Sequence, residues 1–367
     1  MTDRPGAGRR HTGRDEPGSR PSWRDDRVWQ VGFLVGSALG AAATVAGRHA
    51  ERNARAGGLV DWPEVERIAI SRLRSARGTL PPSELAAAEP AYADAMGRIV
   101  PALSAALGSP LPGVVERSGV VDRATWVRAN TGSFRSLIGK LEADLLDQVI
   151  PPGGGLAKAT MALANRWVTT RQLGFLLGFM GSKVLGQYDL ALLTAEATPG
   201  KLLFVEENIR ETARILDVPL EPFRTWIALH ETTHAFEFEA HPWLRPYLAE
   251  RLERQLHLFG REASGLGREA LRSLGRAIRG DGGDAEHWME RLMNPEQRTL
   301  FRETQAVMSL LEGFSDDVMD EVGRDLVPGV ERISARFHER RNARRSPFER
   351  AVMRLTGMDV KLEQYAK

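Results

Sequence analysis

The chain has 367 residues, 42% of them hydrophobic and 27% charged, enough for one large domain or two average ones with a sizeable core. Its 50 basic and 48 acidic side chains leave a net charge of only +2, so no whole-molecule field draws it to nucleic acid or anionic lipid. It has no cysteine, which excludes disulfide frameworks, thiolate metal sites, iron–sulfur ligation and a cysteine nucleophile; any metal must be held by carboxylates and the eight histidines.

Residues 1–27 are rich in Pro, Gly, Ser and Arg without an apolar period, and are expected to form a disordered tail. A second unit, residues 28–57, opens with a Gly/Ala-rich apolar stretch from Val28 to Gly47 and ends in a linker. The stretch is as long as a membrane span, and Gly32, Gly36 and Gly40 recur every four residues as in close-packed transmembrane helices. Ala and Gly contribute little transfer energy, so insertion would be marginal and a soluble packing helix is the alternative. The expected location is cytoplasmic, with membrane association through residues 28–47 left open.

From Leu59 the pattern turns helical, with Trp62, Val65, Ile68, Ile70 and Leu73 marking an amphipathic face. Further helices are predicted near 90–107, 123–149, 156–184, 206–216, 222–240, 243–259, 262–279, 284–293, 296–322, 328–343 and 347–356. Pro and Gly clusters separate several of them. A single short strand is predicted, Leu202 to Val205, and there is no βαβ alternation, so the fold is expected to be mainly α. Gly174, Gly178 and Gly181 sit in an apolar helical run with no preceding strand and no Gly-Lys-Ser/Thr ending, which favours helix packing over a phosphate loop. The absence of a G-x-S-x-G elbow removes support for a serine hydrolase.

The chemistry is concentrated in His230-Glu231-Thr232-Thr233-His234, which reads H-E-x-x-H inside an apolar helical run. Residues four apart stack on one helical face, so both imidazoles can reach one cation. Glu231, rotated about 100° from His230, can take a proton from metal-bound water without ligating the metal. Zinc lowers the pKa of such a water to near 7. The bland alternative is a surface His/Glu/His cluster, which the flanking Trp226-Ile227 and Phe236 disfavour.

A catalytic zinc needs a third protein ligand and an open position. The arrangement H-E-x-x-H-x-x-G-x-x-H fails, because Glu237 stands where glycine is required and Ala240 where histidine is; His241 is one residue out of register. A glutamate from a later helix is the other route, and Glu312 in Leu310-Leu311-Glu312-Gly313-Phe314-Ser315-Asp316 offers it. On this reading Gly313 lets a facing helix approach and Asp316 orients a ligating imidazole. A solvated acidic helix face is the alternative. Tyr188 could donate its phenol to an oxyanion opposite the metal, or be a buried tyrosine bonded to a helix end.

With both stretches in view, the chain resembles the zincin-like metallopeptidase family that is often labelled coenzyme F-420 biosynthesis-associated, or simply hydrolase, in actinobacteria. Five further stretches carry the resemblance: Leu59-Val60-Asp61-Trp62; Trp126-Val-Arg-Ala-Asn130 with Ser133-Phe134; Val184 to Leu190, which contains Gly186-Gln187-Tyr188-Asp189; Pro242-Trp243-Leu244-Arg245; and Lys361 to Tyr365. The resemblance implies a helical zincin-like metallohydrolase domain over residues 58–367, with the active-site helix carrying HExxH. It implies Zn2+ held by His230, His234 and Glu312, with Glu231 as the base. It also implies further residues after the Gln364-Tyr365 motif, so either a C-terminal helix of the pattern is lacking or the sequence is truncated. A zinc-dependent hydrolase acting on a peptide or other amide is the expected function. A non-catalytic zinc-stabilised scaffold associated with deazaflavin coenzyme synthesis is the alternative.

Overall fold

The computed structural model describes residues 58–111, 113–149, 155–188, 201–255, 257–258 and 294–342. The tail 1–27, the apolar stretch 28–47, the helices predicted over 262–279, 284–293 and 347–356, and the C-terminal Lys361–Tyr365 motif lie outside the described residues. What is described is mainly α, as the hydrophobic periods predict.

Helix α1 (Trp62–Arg74) is capped by the Asp61 carboxylate, which accepts from the Glu64 amide, and it presents Val65, Ala69, Ile70 and Leu73 to the interior. Helix α2 (Pro82–Leu107) begins eight residues before its predicted start. Pro90 looks like a helix-opening residue in the sequence. Instead the helix runs through it, and burial of Ala88, Tyr92 and Met96 on either side offsets the lost hydrogen bond. Helices α3 (Arg123–Val149), α4 (Gly155–Gly181), α5 (Glu206–Leu216), α6 (Leu220–Ala240), α7 (Pro295–Leu326) and α8 (Val330–Asn342) fall within a few residues of expectation, and a helical segment covers 244–255. Asn294 and Gln297 form a reciprocal capping box at the start of α7.

The single-strand expectation is corrected. Besides β3 (Leu202–Val205), the chain forms β1 (Ser118–Val121) and β2 (Gly186–Tyr188). Four-residue and three-residue segments are too short for an alternating pattern to register, and one of them opens on glycine. The sheet order is β1-β3-β2, with β1 parallel to β3 and β2 antiparallel to it.

Because side chains alternate along a strand, β3 serves two cores. Leu202 and Phe204 join α2, α5, α6, α7 and α8 in the larger cluster, which includes Met96, Ile99, Phe223, Leu229, Val318 and Ile333. Val205 joins α1, α3 and α4 in the smaller one, around Val65, Trp126, Val127 and Leu177. The first turn of α5 then ties the two together through buried polar groups. Glu206 accepts hydrogen bonds from Tyr92, Arg210 and Arg224. Burial, and then the neighbouring Glu206 carboxylate, hold the Tyr92 phenol well above its ordinary pKa, so it stays a donor. On the other side Glu207 accepts from the backbone amides of Leu80 and Arg123, and Asn208 donates to the carbonyls of Gly181 and Val184.

Helices α1 and α4 meet along the glycines of the apolar run. A Cβ on Gly174 would stand 2.8 Å from Ile68 Cβ, and one on Gly178 would stand 3.1 Å from the Ala69 carbonyl oxygen. Glycine here is a packing device, as the sequence suggests. No helix among the described residues is long and apolar enough to cross a membrane. The contact yields a prediction: Gly174→Val should destabilise the protein by about 1–3 kcal/mol, the usual cost of overpacking, read as a lowered Tm by calorimetry.

Candidate metal centre

Helix α6 is buried on most of its circumference, with Phe223, Trp226, Ile227, Ala228, Leu229, Ala235, Phe236 and Phe238 all in the interior. Polar groups on such a helix cost free energy unless they find partners inside the protein. Thr232 and Thr233 return their hydroxyls to the carbonyls of Ala228 and Leu229, at 2.6 and 2.9 Å. Each imidazole is met on its Nδ1. His234 Nδ1 lies 2.7 Å from Glu237 Oε2, and His230 Nδ1 lies 3.0 Å from Ser315 Oγ on α7. Trp226, one turn earlier, stacks on the His230 ring with centroids 6.2 Å apart.

These contacts decide which ring nitrogens face the centre. An ionised carboxylate only accepts, so His234 Nδ1 carries the proton and its Nε2 presents a lone pair. The two Nε2 atoms lie 3.3 Å apart. Two nitrogens bound at 2.0–2.1 Å around a tetrahedral zinc stand about 3.3 Å apart, so the imidazole pair has the separation such an ion needs. Glu312 Oε1 is 3.8 Å from His234 Nε2. One donor atom each from His230, His234 and Glu312 falls within 4.8 Å of the others. Two borderline nitrogens and one carboxylate oxygen form a donor set suited to zinc, and the fit is good.

Glu237 and Ser315 hold the imidazoles, and the sequence reading passed over both. Each lies three residues from a ligand candidate, His234 and Glu312 respectively, and that spacing was the available signal. Asp316, the orienter expected from sequence, lies half-buried one position beyond Ser315. Gly313 departs from expectation: it is exposed, and an added Cβ would meet nothing within 4 Å among the described residues, so no helix closes on it. The physical reason is rotation, since Glu312 faces the imidazoles and the next residue along the helix is turned about 100° away. Nothing in the structure explains the glycine.

Glu231 is half-buried and lies against strand β2. A Cβ on Gly186 would stand 2.6 Å from Glu231 Cγ, so the strand reaches the carboxylate's stem only because residue 186 has no side chain. Neighbours fix that strand. Trp126 Nε1 donates to Gln187 Oε1 at 2.6 Å, and Gln187 Nε2 donates to Asn130 Oδ1 at 2.8 Å. Tyr188 is buried, with its hydroxyl 2.7 Å from Glu239 Oε1 and receiving a hydrogen bond from Arg245 at 2.6 Å. Arg117 also bonds Glu239. The phenol thus takes part in an ion-pair network at the C-terminal end of α6.

A family model described as zincin-like metallopeptidase matches residues 60–367. Among solved structures, one from Chloroflexus aurantiacus described as "a putative hydrolase with a novel fold" is 32% identical, with a TM-score of 0.57 over 82% of this chain and 81% of that one. No curated protein matches the chain.

The donor geometry makes a direct prediction for metal content. Purified wild-type protein should carry one zinc per chain by inductively coupled plasma mass spectrometry, and His234→Ala and Glu312→Ala should each lose it. Full zinc occupancy in Glu312→Ala would remove that carboxylate from the centre.

Proposed function

The chain belongs to the zincin-like metallopeptidase family, and from that premise we propose that it is a zinc-dependent hydrolase of peptide bonds. The observation that carries the reading is the convergence of His230 Nε2, His234 Nε2 and a Glu312 oxygen, with both Nδ1 atoms engaged on the far side of the rings.

Held by those three side chains, zinc would supply Lewis acidity toward a carbonyl oxygen and bring the pKa of a water near 7. Glu231 is the general base: one of its carboxylate oxygens accepts the proton of the attacking water and returns it to the departing amide nitrogen. Glu237 keeps the His234 proton on Nδ1, and Ser315 anchors the His230 ring, so neither imidazole has to reorient.

A peptide as substrate is supported by strand β2. Among the described residues it pairs with β3 on one side only, and it lies against Glu231. An extended peptide can add to such an edge through main-chain hydrogen bonds, which would bring a scissile amide to the general base independently of side-chain sequence.

Two variants test the roles. Glu231→Gln should retain zinc while hydrolysis of a quenched-fluorescent peptide library falls by at least about 100-fold; undiminished turnover would remove the base. Gly186→Ala should also retain zinc. It displaces the Glu231 stem, so kcat should fall by about 10–100-fold, the scale expected when a reacting group moves by about 1 Å. If chelation lowers Tm while the loaded protein cleaves nothing in the library, the scaffold alternative gains instead.

A further inference from the structure

The second half of helix α4 packs against α1 and α3, with Leu177, Phe179 and Met180 buried, while much of its first half is exposed among the described residues. The face that carries Thr170, Gly174, Gly178 and Gly181 receives α1: the Asp61 amide donates to Thr170 Oγ1 at 2.9 Å, and Gly174 meets Val65 and Ile68, Gly178 meets Ala69, and Gly181 meets Leu73. The partners advance in step, so the two helices run parallel. In line with that contact, toward the start of α4, the surface changes to exposed apolar side chains. Met161, Leu163, Trp167 and Val168 are 65, 48, 59 and 42% exposed. At 100° per residue these four span about 160° of the helix, a stripe wide enough to seat another helix. Within the stripe, the Arg171 guanidinium lies 4.5 Å over the Trp167 ring.

The parallel run of α1 dictates what arrives there. Its N-terminal end is pinned to this part of α4 by the Asp61–Thr170 bond and by Arg166, which bonds the Asp61 carboxylate at 3.1 Å. The chain upstream of Asp61 therefore emerges beside Trp167. Gly58, at φ 69°, turns it out of the helical direction of α1. Ten residues, 48–57, separate that turn from the apolar stretch Val28–Gly47. Extended, they reach about 33 Å, well beyond the length of the exposed stripe. We propose that residues 28–47 dock as a helix on the Met161–Val168 face of α4, completing intramolecularly the packing that α1 begins.

The two surfaces have complementary shapes. Gly32, Gly36 and Gly40 recur every four residues, leaving a shallow face into which large side chains such as Trp167 and Met161 can project. The same device, with the glycines on α4, brings α1 close at Gly174 and Gly178. The short tether sets the local concentration at about millimolar, which favours this occupant over a second copy of the chain. The Gly/Ala composition makes bilayer insertion marginal, which favours it over lipid.

The cysteine-free sequence gives a clean test. Met161→Cys is introduced into the full chain and its reaction with a water-soluble maleimide is compared with that of Glu89→Cys, an exposed position on α2. Met161→Cys should react at least about tenfold more slowly, independently of protein concentration. The protection should vanish when Val35→Asp and Leu39→Asp are added. Four results overturn the proposal: equal rates in buffer, protection that survives the two aspartates, protection that disappears on dilution, or protection only after phosphatidylcholine/phosphatidylglycerol vesicles are added.

Discussion

Helix α6 lies in the interior with most of its side chains out of contact with water. A helix enclosed on nearly every side cannot leave its polar groups to water, so each one it carries must be met from within the protein. The two threonines of the motif solve this locally, against the preceding turn. The two histidines cannot, and each is held by one nitrogen: His234 by Glu237 and His230 by Ser315. The other nitrogens are thereby aimed at a common point with Glu312 beside them. Those two hydrogen bonds fix the ring orientations, and a fixed donor set is what metal affinity requires.

The second determinant is the short strand that closes on Glu231. Stretches that look unrelated along the chain come together around it: Trp126 and Asn130 grip Gln187 from α3, while Arg245, following α6, reaches Tyr188 from the other side. Immediately before these two anchored residues stands Gly186, pressed on the Glu231 side chain. The strand's position is therefore specified by side chains on each flank rather than by its own brief ladder with β3. Three residues of β pairing could not have held it.

Strand β3 and the start of α5 do for the whole molecule what those anchors do for the site. The strand offers alternate side chains to two hydrophobic clusters, and Glu206, Glu207 and Asn208 then reach into both through buried hydrogen bonds. Removing Arg224 would leave the fully buried Glu206 with less compensation, which is why such pairs are costly to break even where forming them gains little. Helix α6, which carries His230 and His234, packs against the same junction through α5 and β3.

The sequence by itself determined the mainly helical fold, most helix positions and the candidate ligands. The 3.6-residue apolar period is local, and so is the spacing that places His230 and His234 on one helical face. Glu312 is offered first by its place with Gly313 and Asp316 on a later helix and then by the family resemblance, although no local rule links positions so far apart. Tertiary structure alone decided the remainder. Strands of three and four residues carry no period, and whether Pro90 opens a helix or lies within one depends on the burial around it. The orienting roles of Ser315 and Glu237, the open space beside Gly313 and the contact between Gly186 and Glu231 are properties of packed neighbours. Side-chain identity states what a residue can do; only the folded chain states what stands within 3 Å of it.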